Sequence, residues 1–214
     1  MRSPYTVTPD APAGAPHCLD LIGTADLDDT DRVAIAAAEA AGARALWRTW
    51  LAGPQPRRVY LVQGPRIALG DQVIAFAEPD DLDGREKAAL AYSALLWTAA
   101  PAPEIQFAEL FDEDGTHLDG PDRDRVLGYL AAAPRLLVTT VLIEDVVDGT
   151  ESVPMDLRTD GTWVWSEGTR HYLDRHRFAP DPSLLQHIAA AGYAVPPVGP
   201  AALHRALAAV SKPA

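Results

Sequence analysis

One short segment, Arg158–Ser166 (RTDGTWVWS), specifies its own local structure more tightly than any other part of the chain. Its Asp-Gly pair predicts a primed turn between two strands, because this pair readily adopts the positive φ angles that such a turn needs. On the second strand, Trp163 and Trp165 lie on one face. The serine that ends the segment is a good N-cap, so a helix is predicted from Glu167 to about Phe178. We therefore predict a hairpin that passes directly into a helix.

The other apolar runs and turn residues predict an α+β fold with a mainly antiparallel sheet flanked by helices. Helices are predicted from Thr30 to about Ala52, from Gly84 to Trp97 and from Pro121 to Ala133. Strands are predicted over residues 59–63, 72–77, 105–111, 136–147 and 153–158. Three short helices after the hairpin form a C-terminal helical cluster. Strands and helices do not alternate strictly, which argues against a parallel α/β sheet.

The chain has 214 residues, of which 48% are hydrophobic, so it can bury a sizeable core and wholesale disorder is excluded. Acidic and turn residues cluster at 112–121 and predict a soft boundary there. We expect a flexible lead-in over residues 1–17, an N-terminal α+β half over 18–118 and a C-terminal α+β half over 119–214. Whether the two halves merge into one domain is left open.

The net charge of −12 restricts the class of partner. Nucleic acids and anionic membranes both require dense Lys and Arg on the surface, so neither is expected to be the main partner. An acidic surface either keeps a protein in solution or complements a basic partner. The expected partner is therefore another protein, with a homo-oligomer as a further option.

Two features of the chain indicate a cytoplasmic protein. Cys18 is the only cysteine, which excludes an intramolecular disulfide and a cysteine-based zinc site. The N-terminal residues lack the apolar core of a signal peptide, and the longest apolar run, Leu136–Ile143, is too short to cross a bilayer.

One acidic motif suggests an enzyme. The sequence Asp26-Leu27-Asp28-Asp29-Thr30 resembles the first motif of haloacid-dehalogenase-type phosphatases. The resemblance implies that Asp26 attacks phosphorus, that Asp28 handles the leaving-group proton, and that Asp145 helps to hold Mg²⁺. The chain departs from this family because a Gly-Thr-Ala run interrupts the strand expected before Asp26. The alternative interpretation is that these acidic residues lie in the first turn of a helix and stabilise it through their interaction with the helix dipole.

No other pattern predicts a catalytic group or a cofactor, and no metal is expected outside the phosphatase alternative. His171 and His176 are five residues apart, which predicts different helix faces rather than a shared ligand set. A half-buried structural role is predicted for His176.

The hairpin is the remaining candidate site. Tryptophans of this kind most often pack in a core. If exposed, Trp163 and Trp165 would form an aromatic patch with a charged rim of Arg158, Glu167 and Arg170, a composition typical of protein-binding hot spots.

The C-terminal part of the chain contains a series of distinctive short sequences: Val153-Pro154, the TDGTWVW sequence of the hairpin, Tyr172-Leu173 and Ala179-Pro180-Asp181-Pro182. On these residues, the chain from Tyr129 onward resembles uncharacterised actinobacterial proteins, some of which are associated with polymorphic-toxin or immunity genes. The resemblance implies no catalytic residues.

Three functional hypotheses follow. The first is an acidic cytoplasmic protein-binding module, of which an immunity-type neutraliser of a basic toxin is one form. The second is the Mg²⁺-dependent phosphatase that uses Asp26 and Asp28. The third is a structural or assembly subunit whose apolar segment at Trp47 and Trp50 packs on a second copy of the chain.

Overall fold

A computed structural model describes residues 18–51, 57–70 and 72–211. The predicted lead-in over residues 1–17 lies outside this part of the chain. Two compact units are present: the first ends at Ala102 and also takes in the residues from Leu207 on, and the second comprises Pro103–Ala206. The acidic and turn residues at 112–121, where a soft boundary is predicted, lie inside the second unit.

The first unit contains a five-stranded sheet in the order β1-β5-β2-β3-β4. Its elements are β1 (Leu19–Asp20), α1 (Asp29–Ala40), β2 (Ala45–Leu51), β3 (Arg57–Gln63), β4 (Val73–Phe76), a short 3-10 turn (Pro79–Asp81), α2 (Gly84–Ala91) and β5 (Ala94–Thr98). The central strand β2 is antiparallel to both β3 and β5, whereas β1 pairs parallel to β5 and β3 pairs parallel to β4.

Two predicted helices of this unit are shorter than expected. The helix from Thr30 to Ala52 ends at Ala40, because Gly42 adopts a left-handed φ of 69° and the chain then enters β2. The bulky residues around Trp47, which the sequence predicts at the apolar end of that helix, instead form the central strand. Trp47 is fully buried there. In the same way, the helix predicted to reach Trp97 ends at Ala91, before β5.

A buried carboxylate ties α1 to the sheet. Asp31 has no exposed surface, and its oxygens accept hydrogen bonds from Arg48 on β2 and, on β3, from Tyr60 Oη at 2.9 Å and Arg58 Nη1 at 3.2 Å. A carboxylate that has left water requires such partners, since burying it alone costs several kcal/mol. The contact therefore fixes how α1 lies on β2 and β3.

The second unit contains two sheets and the helical cluster. Its elements are β6 (Gln106–Phe107), α3 (Gly120–Ala132), β7 (Arg135–Leu137), β8 (Leu142–Glu144), β9 (Glu151–Pro154), β10 (Leu157–Thr159), β11 (Trp163–Ser166), α4 (Glu167–His176), α5 (Pro182–Ala190) and α6 (Pro200–Ser211), of which α6 ends in the first unit. One sheet has the order β6-β11-β10-β7, and β8 and β9 form a separate two-stranded sheet, here called the ribbon.

The predicted hairpin is present, with a different turn. Thr159 pairs with Val164 across β10 and β11, so the connection is longer than a two-residue primed turn. Within its Asp-Gly pair only Gly161 has a positive φ, of 92°, and the Asp160 carboxylate organises the turn by accepting the backbone N–H groups of Thr162 and Trp163 at 2.9 and 2.8 Å.

The helix after the hairpin begins and ends close to the predicted residues. Ser166 is its N-cap and accepts the N–H of Gly168 at 3.1 Å, while Arg177 ends α4 with a left-handed φ of 61°. The predicted helical cluster is formed by α4, α5 and α6.

The α+β class is confirmed. The sheets are mixed rather than purely antiparallel: three strand pairings, including that of β6 with β11, are parallel, and the other five among the described strands are antiparallel. The long strand predicted from Leu136 to Val147 is divided into β7 and β8, which belong to different sheets. Within the part of the chain that the structure describes, no helix combines the length and the apolar character needed to cross a bilayer.

The Asp31 contact predicts a large effect on stability. Replacing Asp31 by Asn leaves Arg48 and Arg58 without their buried carboxylate, and we expect a loss of about 3 kcal/mol in the free energy of unfolding. Urea denaturation measures this loss. The matched control is Asp29→Asn, two residues earlier on α1 and exposed, where little change is expected. Equal effects of the two substitutions would contradict the role assigned to Asp31.

Candidate functional site

The two tryptophans of the hairpin do not form an exposed patch. Trp165 is buried in the core of the second unit, with its ring 6.1 Å from that of Tyr129. Trp163 is half-buried against the same core, and its ring lies 6.2 Å from that of His187. Core packing therefore accounts for Trp165, and Trp163 presents only part of its indole to solvent.

The three charged residues of the predicted site form one cluster that joins the hairpin to α4. Glu167 is buried and accepts hydrogen bonds from Arg158 and, at 2.8 Å, from Arg170 Nε. Arg158 also donates through Nη1 to the carbonyls of Ala131 and Ala133 at the end of α3, at 2.9 and 2.5 Å. Arg158 thus binds the carbonyl groups at the end of α3, and Glu167 is the first residue of α4. These contacts hold the hairpin and the two helices together, which is a structural role.

Burial and hydrogen bonding act in opposite directions on Glu167. Burial tends to raise the pKa of its carboxyl group, but hydrogen bonds from Arg170 and Arg158 outweigh that effect and lower the pKa below its ordinary value. Glu167 is therefore held in its charged form between two guanidinium groups.

A second buried carboxylate, Asp160, lies beneath the turn. Its Oδ2 accepts a hydrogen bond from Tyr129 Oη at 2.6 Å and lies 2.7 Å from His187 Nε2. These side chains come from α3 and α5, so Asp160 connects the hairpin to both helices. Neither Tyr129 nor His187 is predicted from the sequence as a partner of the turn, because their positions along the chain carry no spacing that relates them to it.

A third cluster joins α4 to the ribbon. Asp145 follows β8 and is fully buried; its Oδ2 lies 2.8 Å from His171 Nε2 and 2.6 Å from His176 Nε2. The five-residue separation of the two histidines predicts different helix faces rather than a shared ligand set, yet both rings reach this one carboxylate oxygen. His176 is the last residue of α4, and its ring packs beside that of His171, with 6.0 Å between their centroids. Both rings also contact Tyr172, at centroid distances of 5.5 Å for His171 and 5.9 Å for His176. His176 is half-buried, as predicted.

Local contacts hold the Asp145 carboxylate in this orientation. Its Oδ1 accepts the N–H of Val147 at 2.9 Å, and the neighbouring N–H of Val146 donates to Tyr172 Oη at 3.1 Å. Burial acts to raise the pKa of Asp145, but the hydrogen bonds from the histidines prevail and hold it well below its usual range. Asp145, His171 and His176 are the described side chains whose grouping could hold a metal ion.

The acidic residues of the phosphatase hypothesis have other roles. Asp28 is the N-cap of α1: it accepts the N–H of Asp31 at 2.9 Å and pairs with Arg58, whose hydrogen bonds hold the Asp28 pKa well below its usual range. These acidic residues therefore lie at the start of α1, as the alternative interpretation of the motif predicts. Asp26 is exposed in the first unit, while Asp145 belongs to the second and faces two histidines.

Most of the exposed large apolar side chains of the second unit lie on the ribbon and the segment before it; Phe107 on β6 is a further one. From the end of β7 to the turn after β8, six large apolar residues are exposed: Leu137, Val138, Val141, Leu142, Val146 and Val147. The inner face of the ribbon, formed by Ile143 and Val153, is packed, and α4 contacts β9. An exposed apolar surface of this kind usually marks an interaction site.

Comparisons with known proteins return no match: no family model, no curated protein and no solved structure matches the chain. The function is therefore inferred from the physical chemistry of these sites.

The Glu167 cluster predicts a pH-dependent contribution to stability. Because the folded pKa is depressed, the stabilisation is complete above the ordinary carboxyl value of 4.5 and is lost as the pH falls through the lower folded pKa. At pH 7 we expect Glu167→Gln to cost about 2 kcal/mol in the free energy of unfolding. Urea denaturation at falling pH should show that difference shrinking, whereas Glu113→Gln, at an exposed position, should change little at any pH. A difference independent of pH would contradict the assignment.

Proposed function

We propose that the chain is an acidic protein-binding module that docks a basic partner protein through the ribbon and the apolar segment before it. The observation that supports this most directly is the concentration of exposed apolar side chains between Leu137 and Val147. Val146 and Val147, at the tip of the ribbon, keep 70% and 52% of their surface exposed. Covering such side chains contributes about 25 cal/mol per Å² of apolar surface removed from water.

The charge of this segment indicates the chemistry of the partner. Between Leu136 and Asp156 the chain has no Lys, Arg or His, and its charged residues are Glu144, Asp145, Asp148, Glu151 and Asp156. Arg175 of α4 pairs with Asp148 at 2.7 Å, which leaves the exposed glutamates as the main charge on the ribbon. Glu144 and Glu151 are exposed and face each other across the ribbon. The complementary surface is an apolar patch with Lys and Arg around it, and the net charge of −12 adds a long-range attraction toward such a partner.

The ribbon suits this role because it is held in place before a partner arrives. A two-stranded sheet alone is marginally stable in water. Here Asp145 fixes its tip to α4 through two histidines, and Gly168 lets α4 approach β9 so closely that a Cβ at this position would lie 3.0 Å from Val153 Cγ1. A preorganised surface loses less conformational entropy on binding.

An immunity-type neutraliser of a basic toxin is the form of this function that the charge favours. Opposite charges speed the encounter of two proteins, and the apolar side chains then slow dissociation. The ribbon replaces the hairpin as the proposed contact surface, because Trp165 and Glu167 are buried.

Substitutions at the tip test which surface binds. Val146→Asn combined with Val147→Asn should weaken the complex about tenfold or more, because it removes apolar area from the interface. The matched control is Val33→Asn on α1, where an equally apolar side chain is 59% exposed in the first unit. The partner is captured with the wild-type chain, identified and purified, and its affinity for all three proteins is measured by calorimetry. Unchanged affinity of the ribbon variant would rule out this docking surface.

Salt dependence tests the contribution of charge separately. The association rate with the purified partner should fall as NaCl rises from about 0.05 to about 0.5 M, since screening shortens the range of the attraction. The dissociation rate, set by apolar contacts, should change much less. An association rate that does not respond to salt would contradict the charge complementarity while leaving the ribbon test intact.

A further inference from the structure

We infer that Asp145, His171 and His176 form a binding site for one divalent transition-metal ion of the Zn²⁺ type. The inference does not rest on the proposed function, because the ion would bind even if the ribbon docked no protein.

The first argument is convergence. Two imidazole nitrogens approach one carboxylate oxygen, at 2.8 and 2.6 Å, and the three ligand atoms all lie within 4.8 Å of one another. A tetrahedral ion with bonds of about 2.0–2.1 Å holds its ligands about 3.3 Å apart. To reach that geometry, the side chains would rotate so that the two nitrogen–oxygen distances lengthen by less than about 1 Å and the two nitrogens, which lie within 4.8 Å of each other, also settle about 3.3 Å apart.

The second argument is the chemistry of the donors. Two imidazoles and one carboxylate suit Zn²⁺ and its neighbours in the transition series, whereas Mg²⁺ and Ca²⁺ prefer oxygen ligands throughout. A neutral imidazole binds a metal through a nitrogen lone pair, so a ring bound through Nε2 carries its proton on Nδ1. Both histidines present Nε2 to the site, which allows them to bind in the same way.

The third argument is preorganisation with access. The carboxylate is fully buried and oriented by the N–H of Val147, so it does not have to be ordered when the ion arrives. The His171 and His176 side chains are 14% and 13% exposed, which provides a route from solvent. Three protein ligands leave a fourth position of a tetrahedral ion for water or another small ligand.

A bound ion would also fix the position of the ribbon on α4. Asp145 belongs to the segment after β8, and both histidines belong to α4, so one ion would cross-link the two elements. Because such an ion binds the folded chain and not the unfolded one, it would raise the stability of the second unit by mass action.

Calorimetry with Zn²⁺ alone, on the full chain without an affinity tag, tests the site. We expect one ion per chain. Replacing both ligand histidines (His171→Gln with His176→Gln) should weaken binding about 100-fold or more, since even outer contacts of metal sites contribute 10–100-fold. The matched control is His187→Gln, because His187 Nε2 also lies 2.7 Å from a buried aspartate, Asp160, but has no second histidine beside it. That variant should bind Zn²⁺ as the wild type does.

A second measurement uses only the wild-type chain, so it does not depend on how the variants fold. Co²⁺ should give the visible absorption of a four- or five-coordinate site, and added Zn²⁺ should abolish that absorption. Circular dichroism establishes that each variant is folded before its affinity is compared. Absence of both Zn²⁺ binding and the Co²⁺ absorption in the wild type would overturn the proposal. So would equal binding by the wild type and a folded double variant.

Discussion

A carboxylate that leaves water has to find its donors inside the protein, and this constraint organises both units. Asp31 in the first unit and Asp145 and Asp160 in the second are buried, and each is contacted by side chains from elements other than its own. An uncompensated buried charge costs several kcal/mol, whereas a compensated one contributes mainly by excluding alternative arrangements. Each aspartate therefore acts as a fixed point: Asp31 for α1 on β2 and β3, Asp160 for the hairpin between α3 and α5, and Asp145 for the ribbon on α4.

These fixed points explain why the hairpin is a structural element rather than the contact surface. Asp160 organises the turn of the hairpin, and Glu167 begins the helix that follows it. Trp165 packs in the core. Most of the large apolar side chains that remain exposed in this unit lie on the ribbon and the segment before it, and Asp145 helps to hold the ribbon on α4. In the second unit, the charged groups of the hairpin are therefore used inside the fold, and the apolar side chains of the ribbon are exposed on its surface.

The sequence predicted what depends on neighbouring residues. The hairpin, the N-cap at Ser166 and the helix α4 follow from local patterns, and so do α3 and the capping acids of α1. It failed where distant residues decide the outcome. Trp47 and Trp97 lie in apolar runs that suit a helix or a buried strand equally, and pairing across the sheet selects the strand. The grouping of His171 and His176 was not predicted for a similar reason. Both histidines contact Asp145, which lies more than twenty residues earlier in the chain, and helix spacing alone carries no information about that aspartate.

The position of Asp145 connects the two proposals physically. Val146 and Val147, the apolar tip of the ribbon, directly follow it, and their N–H groups donate to Tyr172 Oη and to the Asp145 carboxylate itself. The backbone that presents the tip is therefore held by the same carboxylate that faces the histidines. An ion bound there would replace two hydrogen bonds with stronger directional bonds and would narrow the range of positions open to the tip. A surface that binds through a few apolar side chains gains affinity when those side chains are held in place, so occupancy of the site would favour docking without any direct contact between ion and partner.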